Sequence, residues 1–167
     1  MRQFLVLAAA AALGPAGVQA QDFQRRGAPE SPISASVELP QWSRLVYVSG
    51  TVPDVADASA PQGSVQRFGD TAAQTRSVLR KIEAQLAQHN LTMRDVVMMR
   101  VFLVAPPGQA RMDFAGMMGV YREFFGTQAQ PMRPARSTME VAGLVDPGWL
   151  VEIEVTAATP MQAERRP

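Results

Sequence analysis

Apolar and polar residues alternate with a period of two in four segments, and this pattern predicts β-strands. Two of them, 33–39 and 44–52, flank Pro40-Gln41-Trp42-Ser43 and predict a first hairpin. The other two flank Asp146-Pro147-Gly148 within 133–158. There the proline presets φ for a turn and the glycine tolerates positive φ, so the pattern predicts a second, terminal hairpin.

Two further segments carry apolar residues at helical spacing. The first helix is predicted to begin at Asp70 or Thr71 and to end at His89-Asn90. The second is predicted over 112–125, with Gly126 suited to the C-cap and an apolar stripe of core character. Between them, after a capping turn from Thr92 to Asp95, the apolar run 96–104 is typical of a central strand.

The resulting order is β-β-α-β-α-β-β, which predicts an α+β fold with a single mixed sheet and two helices on one face. The other face must then be solvated or buried in an interface, and apolar or mixed residues there would indicate assembly. The segment 53–69, rich in Ala, Ser, Asp, Pro and Gly, is predicted to be a long loop that can cover a site.

The N-terminal residues 1–20 have the pattern of a signal peptide. Arg2 precedes an apolar run over 4–13, and small residues end at Ala20, after which cleavage is expected. The run is shorter than the roughly 20 residues a membrane-spanning helix needs. The alternative, a buried helix, is disfavoured by Gly14-Pro15. We therefore expect a soluble periplasmic or secreted protein, with a flexible linker at 21–31, one domain at 32–158 and a polar tail at 159–167.

Composition narrows the chemistry. Arg2 is the only charged residue of the segment 1–20, so cleavage leaves 15 basic and 15 acidic residues, a balance that gives no case for nucleic acid or a membrane as partner. Cysteine is absent, which excludes disulfides and thiolate chemistry. The single histidine, His89, argues against a Ser-His-Asp triad and against a multi-histidine metal site, so no metal or cofactor is expected.

The remaining candidates are charged residues of the terminal hairpin. Alternation places Arg136, Glu140, Glu152 and Glu154 on one face. With the turn centred near Pro147, Arg136 and Glu152 lie about six residue pairs, on the order of 20 Å, apart. They could then serve one small ligand only if a second subunit brought its own copy alongside. An arginine fork matches a carboxylate and a glutamate can polarise water, although solvated surface charges are the simpler explanation.

Five motifs carry a resemblance that favours the functional reading. Over about residues 32–158 the chain resembles the RidA (formerly YjgF) family of enamine/imine deaminases. The five motifs are Val46-Tyr47-Val48-Ser49-Gly50, Gly69 with the helix from Asp70, Val120-Tyr121-Arg122-Glu123-Phe124-Phe125, Pro134-Ala135-Arg136-Ser137 and Val151-Glu152-Ile153-Glu154-Val155. The last two, occurring together in that order, are the most specific. The resemblance implies this same fold, of the chorismate-mutase-like kind, assembled as a homotrimer with clefts between subunits.

The resemblance also implies roles for individual residues. Arg136 matches the arginine that binds the substrate carboxylate, and Glu152 matches the glutamate that positions the hydrolytic water. Ser49-Gly50 matches a backbone segment lining the pocket, and the carbonyl of Thr138 would help to hold the water. Two pocket positions depart from the family pattern: Ser36 stands near a common aromatic position, and Met118 near a common polar one.

The implied reaction is hydrolysis of 2-enamino or 2-imino acids, such as 2-iminobutanoate and 2-iminopropanoate, to 2-keto acids and ammonia. The uncatalysed reaction is already quick, so positioning and charge stabilisation suffice without a cofactor. Two alternatives stay open. One is a non-catalytic exported protein that binds a small carboxylate in the same cleft, and the other is a structural trimer whose sheet charges are solvated.

Overall fold

The computed structural model describes residues 23–161, so the predicted signal peptide and most of the predicted polar tail lie outside the described residues. Within these residues, two helices, six strands and two short 3₁₀ turns follow one another along the chain. The helices are α1 (Thr71–Ala87) and α2 (Phe114–Phe124), and the turns are Val65–Arg67 and Met93–Asp95. The strands are β1 (Gln24–Arg26), β2 (Ser36–Glu38), β3 (Ser43–Thr51), β4 (Val96–Leu103), β5 (Ala135–Glu140) and β6 (Val151–Pro160).

The main sheet has four strands in the order β3-β6-β4-β5. β4 and β5 run parallel, and the other two pairs are antiparallel. The residues of β4 and β6 that pack beneath both helices are fully or almost fully buried, namely Met99, Val101, Leu103, Val151, Ile153 and Val155. The predicted α+β class, a mixed sheet with two helices, is therefore confirmed.

The prediction of a terminal hairpin is wrong. β5 does not pair with β6; it pairs with β4, from Met98 opposite Ala135 to Leu103 opposite Glu140, and β6 lies between β3 and β4. The turn itself is present, since the Trp149 amide donates to the Asp146 carbonyl at 3.0 Å. The pairing differs because an alternating pattern specifies which face a side chain takes and leaves the neighbouring strand open.

The prediction of a first hairpin is wrong for the same reason. β2 pairs with β1, and β3 pairs with β6. β1 lies within the segment 21–31, for which a flexible linker was predicted. The Arg25 side chain attaches β1 to the domain by donating to the carbonyls of Val96, Arg133 and Arg94 at 2.8–3.1 Å. The fold therefore has a two-stranded ribbon beside the main sheet, where the sequence predicted a single sheet.

The helix boundaries agree with the local sequence signals. The Asp70 side chain caps α1 by accepting from the Ala73 amide at 2.8 Å. Asp113 caps α2 in the same way, accepting from the Gly116 amide at 2.8 Å, and Gly126 after this helix has a φ of +71°. Thr92 and Asp95 form the predicted capping box before β4. Among residues 23–161, no helix is both long enough and apolar enough to cross a membrane.

One buried side chain fixes the β5–β6 connection to α1. Gln74 is fully buried; its amide group donates to the carbonyls of Gly69 and Gly148, both at 2.9 Å, and its oxygen accepts from the Leu150 amide at 2.7 Å. Gly148 is required for close approach, because a Cβ there would lie 2.8 Å from the Phe68 ring. Gly148 does not use the positive φ that a glycine tolerates in a turn.

The side of the main sheet away from the helices is termed the open face. It combines large apolar side chains with charged ones. Its apolar members include Leu45, Tyr47, Met98, Phe102 and Met139, and Tyr47 is 75% exposed. Its charged members include Arg100 and Glu154, which form an ion pair at 3.4 Å. An exposed surface with several large apolar side chains indicates an interaction site.

Candidate functional site

Arg136 lies at the edge of the main sheet and points toward α2. β5 is the edge strand, and Arg136 is paired with the buried Met99, so its side chain takes the helix-facing side. Its guanidinium carbon lies 4.4 Å from the centre of the Tyr121 ring and 5.8 Å from that of Phe114. Its Nη1 donates to the sulfur of Met118 at 3.0 Å. Three side chains of one helix therefore hold the cation.

The same guanidinium has no anionic partner among the described residues. Within residues 23–161, no carboxylate forms an ion pair with Arg136. Partial burial lowers the pKa of Arg136; the neighbouring Tyr121 opposes that change, and the positive charge of Arg122 adds to it. The group stays charged, because an arginine keeps its proton at any ordinary pH. A half-buried cation that donates to a thioether, and to no carboxylate within residues 23–161, is well suited to accept an anion.

Thr138 lies two residues along β5 on the same side as Arg136, opposite Val101. Its hydroxyl is buried and has no hydrogen-bond partner within the described part of the chain. An unpaired buried hydroxyl is costly, so this position offers a polar contact next to the guanidinium. The predicted role of the Thr138 carbonyl in holding water stays a prediction.

Glu152 lies on the open face and is coupled to β3 through Gly50. The pairing of β3 with β6 shifts between Val48 and Thr51, so Ser49 and Gly50 together oppose the single residue Glu154. This is a β-bulge, a device that redirects strands near functional sites. A Cβ on Gly50 would lie 2.8 Å from Cδ of Glu152 and closer still to its carboxylate oxygen. Gly50 and Glu152 thus lie in close contact, and Ser49 is the other residue of the same bulge.

The structure corrects the predicted face of the charged residues. Arg136 and Glu140 take the helix-facing side, where the Glu140 carboxylate accepts from the Met112 amide at 3.2 Å. Glu152 and Glu154 take the open face. Arg136 aligns with Met99 and Glu152 with Phe102, so two strand spacings and three residues separate them, on the order of 14 Å. The predicted six-pair separation is wrong, but the consequence holds: one chain cannot direct both groups at one small ligand.

The other predicted pocket residues divide in the same way. Met118 contacts Arg136 directly, as its predicted place in the pocket requires. Ser36 is exposed in β2, where it pairs with Arg26. Ser34, two residues before Ser36, forms an isolated β-bridge with Ala135, the residue before Arg136. The structure thus sets Met118 against the arginine and leaves Ser36 on the ribbon.

The sequence pattern did not identify Tyr121 and Phe114 as residues of the site. Tyr121 and Phe114 belong to the apolar stripe of α2, and that stripe indicated only a core. Tyr121 is buried, donates to the Pro32 carbonyl at 3.0 Å and stacks on Phe125. Phe114, in contrast, is 43% exposed. The spacing of 114, 118 and 121 on one helix face was visible in the sequence, but their contact with Arg136 depends on where α2 packs.

The arrangement defines a class of protein: an α+β domain with a half-buried arginine on the edge strand of its sheet and a glutamate beside a β-bulge on the opposite face. The chain belongs to the Endoribonuclease L-PSP family, whose model matches residues 25–159. This is the family of the RidA, YjgF and RutC proteins, so the resemblance seen in the sequence is confirmed. The described residues contain no group of three or more His, Cys, Asp or Glu side chains able to hold a metal.

Individual relatives agree with this assignment. The 3-aminoacrylate deaminase RutC of Acinetobacter baylyi is 33% identical over 126 residues, 75% of this chain and 88% of RutC. A RutC family protein of Pyrococcus horikoshii is 31% identical over 77% of this chain and 88% of its own.

Solved structures show the same fold. A YjgF-family protein from Mycobacterium tuberculosis, 32% identical, superposes with a TM-score of 0.51 over 75% of this chain and 86% of its own. TdcF of E. coli, solved with bound serine, is 25% identical and has a TM-score of 0.54 over 81% of this chain and 98% of its own.

Proposed function

We propose that this protein hydrolyses 2-enamino and 2-imino acids to 2-keto acids and ammonia, with Arg136 binding the substrate carboxylate and Glu152 positioning water. The observation that carries the proposal is the half-buried guanidinium of Arg136, held by Tyr121 and Met118 and paired with no carboxylate in residues 23–161. A planar donor fork in that setting recognises a carboxylate in bidentate fashion.

The chemistry asks little of the protein. Water attacks the imine carbon, and its proton passes by way of Glu152 to the nitrogen. The hydroxyl proton of the resulting carbinolamine then moves to the amino group, the carbon–nitrogen bond breaks, and ammonia leaves as the carbonyl forms. Arg136 fixes the carboxylate beside the reacting carbon, and Glu152 orients the water, so positioning supplies most of the acceleration. No redox step or cofactor enters this balance.

The proposal includes a homotrimer with the site between subunits. Arg136 and Glu152 face opposite sides of the sheet of one chain, so a shared ligand requires Arg136 from one protomer and Ser49, Gly50 and Glu152 from the next. The open face provides the means of assembly, because it exposes large apolar side chains such as Tyr47 and Leu45 that no helix covers.

The relatives support a small carboxylate as ligand. RutC acts on 3-aminoacrylate, an enamino acid, and TdcF binds serine, which also carries an α-carboxylate. The family description names an endoribonuclease, but the balanced charge expected after cleavage of residues 1–20 gives little attraction for RNA. We therefore propose neither nucleic acid nor membrane as a partner. We also propose that the protein is exported, on the strength of the pattern in residues 1–20.

The test compares the wild type with Arg136→Ala. An amino-acid oxidase generates 2-imino acids in situ, and the release of keto acid and ammonia is followed above the uncatalysed rate. We expect Arg136→Ala to lower kcat/KM by at least about 100-fold, the size of effect expected for a charge-assisted anchor of the reacting group.

Other results separate the alternatives. Equal rates for the two proteins would refute the deaminase. Absent turnover combined with an affinity for 2-keto acids that depends on Arg136 would establish the non-catalytic binding protein. If neither rate nor affinity depends on Arg136, the charges are structural. Wild-type and variant melting temperatures, recorded alongside, exclude loss of folding as the cause.

A further inference from the structure

We propose that the pocket at Arg136 selects 2-imino acids with a large apolar side chain, and that Phe114 and Met118 determine this preference. The inference rests on the proposed function, because it concerns the substituent on the same substrate. It adds a chemical class: imines derived from leucine-like or phenylalanine-like amino acids are preferred to those derived from alanine-like or charged ones.

The first step is the surface that surrounds the anchor. Phe114, Met118 and Tyr121 follow one another at helical spacing on α2, and all three contact the Arg136 guanidinium. Tyr121 is 1% exposed and Met118 is 4% exposed, so these two form the floor beneath the cation. Phe114 is 43% exposed and forms the rim. An exposed aromatic ring beside a charged anchor is free to contact a ligand.

The second step is the geometry of docking. A carboxylate accepts hydrogen bonds in the plane of the guanidinium, at its N–H edges, whereas the Tyr121 ring lies over the guanidinium face. Because Met118 and Phe114 both lie beside this guanidinium, they are the apolar neighbours that α2 offers to an acid docked there. The Met118 thioether is unbranched and polarisable, and methionine adapts its shape to varied apolar groups.

The third step concerns charges near the anchor. Glu140 and Asp113 each accept a hydrogen bond from a nearby backbone amide, of Met112 and Gly116 respectively, so both carboxylates are directed toward their own backbone. Arg122 is exposed on α2 and near enough for its charge to act on Arg136. It would repel a basic substituent and attract a second acid group. A dicarboxylic imine is therefore the competing substrate that the experiment must include.

The experiment measures kcat/KM for imines that D-amino-acid oxidases generate at equal flux from D-alanine, D-leucine, D-phenylalanine and D-glutamate. For the wild type we expect the leucine- and phenylalanine-derived imines to exceed the alanine-derived one by at least about tenfold, since partial burial of several methylenes is worth that much. The variants are Phe114→Ala and Met118→Asn, with Phe114→Leu to retain an apolar rim. Val145→Ala, at a side chain 92% exposed in the loop before β6, is the apolar truncation away from the pocket.

We expect Phe114→Ala and Met118→Asn to reduce the preference to within about threefold, mainly by slowing the large imines, while Phe114→Leu and Val145→Ala preserve it. A wild-type ratio near one, a ratio that neither variant changes, or a preference for the glutamate-derived imine that Arg122→Ala abolishes would overturn the inference. If turnover depends on Arg136 but not on the substituent of the imine, the inferred selectivity is refuted and the proposed function stands. If turnover is absent, the proposed function fails, and calorimetric affinities for the matching 2-keto acids test the same preference.

Discussion

Glu152 extends across Gly50 of the neighbouring strand, into the space that a side chain at position 50 would occupy. A Cβ on Gly50 would lie 2.8 Å from Cδ of Glu152 and 3.2 Å from its Cγ. Gly50 is not in a left-handed conformation, so the requirement for glycine here is one of room. The position of the proposed water-binding carboxylate thus depends on Gly50, in the adjacent bulge, having no side chain.

Gly50→Ala should impair activity far more than folding. The clashing group is the flexible end of Glu152, which can swing away at small cost in stability, but the carboxylate then leaves its site. We expect kcat/KM to fall by about 100-fold, with a free energy of unfolding within about 1 kcal/mol of the wild type. Deamination rates and urea denaturation at fixed protomer concentration check this.

The control for Gly50→Ala is Gly119→Ala, an equal change in α2 where an added Cβ meets nothing within 4 Å. It should leave activity unaltered and stabilise the helix by up to about 1 kcal/mol. Full activity in Gly50→Ala would mean that Glu152 is not held in place by this contact.

Hybrid trimers should recover activity from two inactive variants. If each site takes Arg136 from one protomer and Glu152 from another, a random mixture of Arg136→Ala and Glu152→Gln chains contains both wild-type groups at about a quarter of its sites. We expect about that fraction of wild-type activity after co-refolding, with each variant alone near background. Recovery of nothing, in mixtures shown by size and tag analysis to be hybrid, would contradict a site between subunits.

Alkaline pH should destabilise the fold through Tyr121. Burial raises the pKa of Tyr121 from 10.0 to about 12, and the nearby Arg136 moderates this rise. The folded state therefore holds the phenol proton more tightly than the unfolded state does. Stability from this group is complete below pH 10 and falls as the pH rises toward 12, by as much as about 2.7 kcal/mol.

Tyr121→Phe isolates that contribution. It should remove the part of the pH dependence due to Tyr121, and at pH 8 it should cost about 1 kcal/mol for the lost hydrogen bond to Pro32. The ring that faces Arg136 remains, so KM should change little. Unfolding curves of both proteins between pH 8 and 12 give the comparison, and parallel pH profiles would show that the phenol ionises alike in both states.

Gln74→Leu should be strongly destabilising, because the substitution leaves the Gly69 and Gly148 carbonyls and the Leu150 amide without the partner they share. We expect a loss of about 3 kcal/mol in the free energy of unfolding. Gln88→Leu, on the exposed C-cap of α1, should stay within about 0.5 kcal/mol. Comparable losses in both variants would indicate that the buried hydrogen bonds contribute little.

Local structure was predictable wherever neighbours in sequence make the contacts. The caps at Asp70 and Gly126 and the capping box of Thr92 and Asp95 all match their patterns, because each involves groups only a few residues apart. The candidate residues Arg136 and Glu152 came from motifs and charge, and the family that those motifs indicate is confirmed. Their roles remain proposals for the experiments above.

Strand pairing was decided by the tertiary structure. The alternation in 133–158 correctly indicated strands. In a hairpin β5 and β6 would be direct neighbours, but in the sheet β4 lies between them. That insertion moved Arg136 onto α2, against Tyr121 and Phe114, and left Glu152 on the open face. The sequence by itself determined the helices, the caps and the candidate residues, since these depend on short-range periodicity; which strands meet, and hence which face each charge takes, depends on long-range packing that periodicity does not encode.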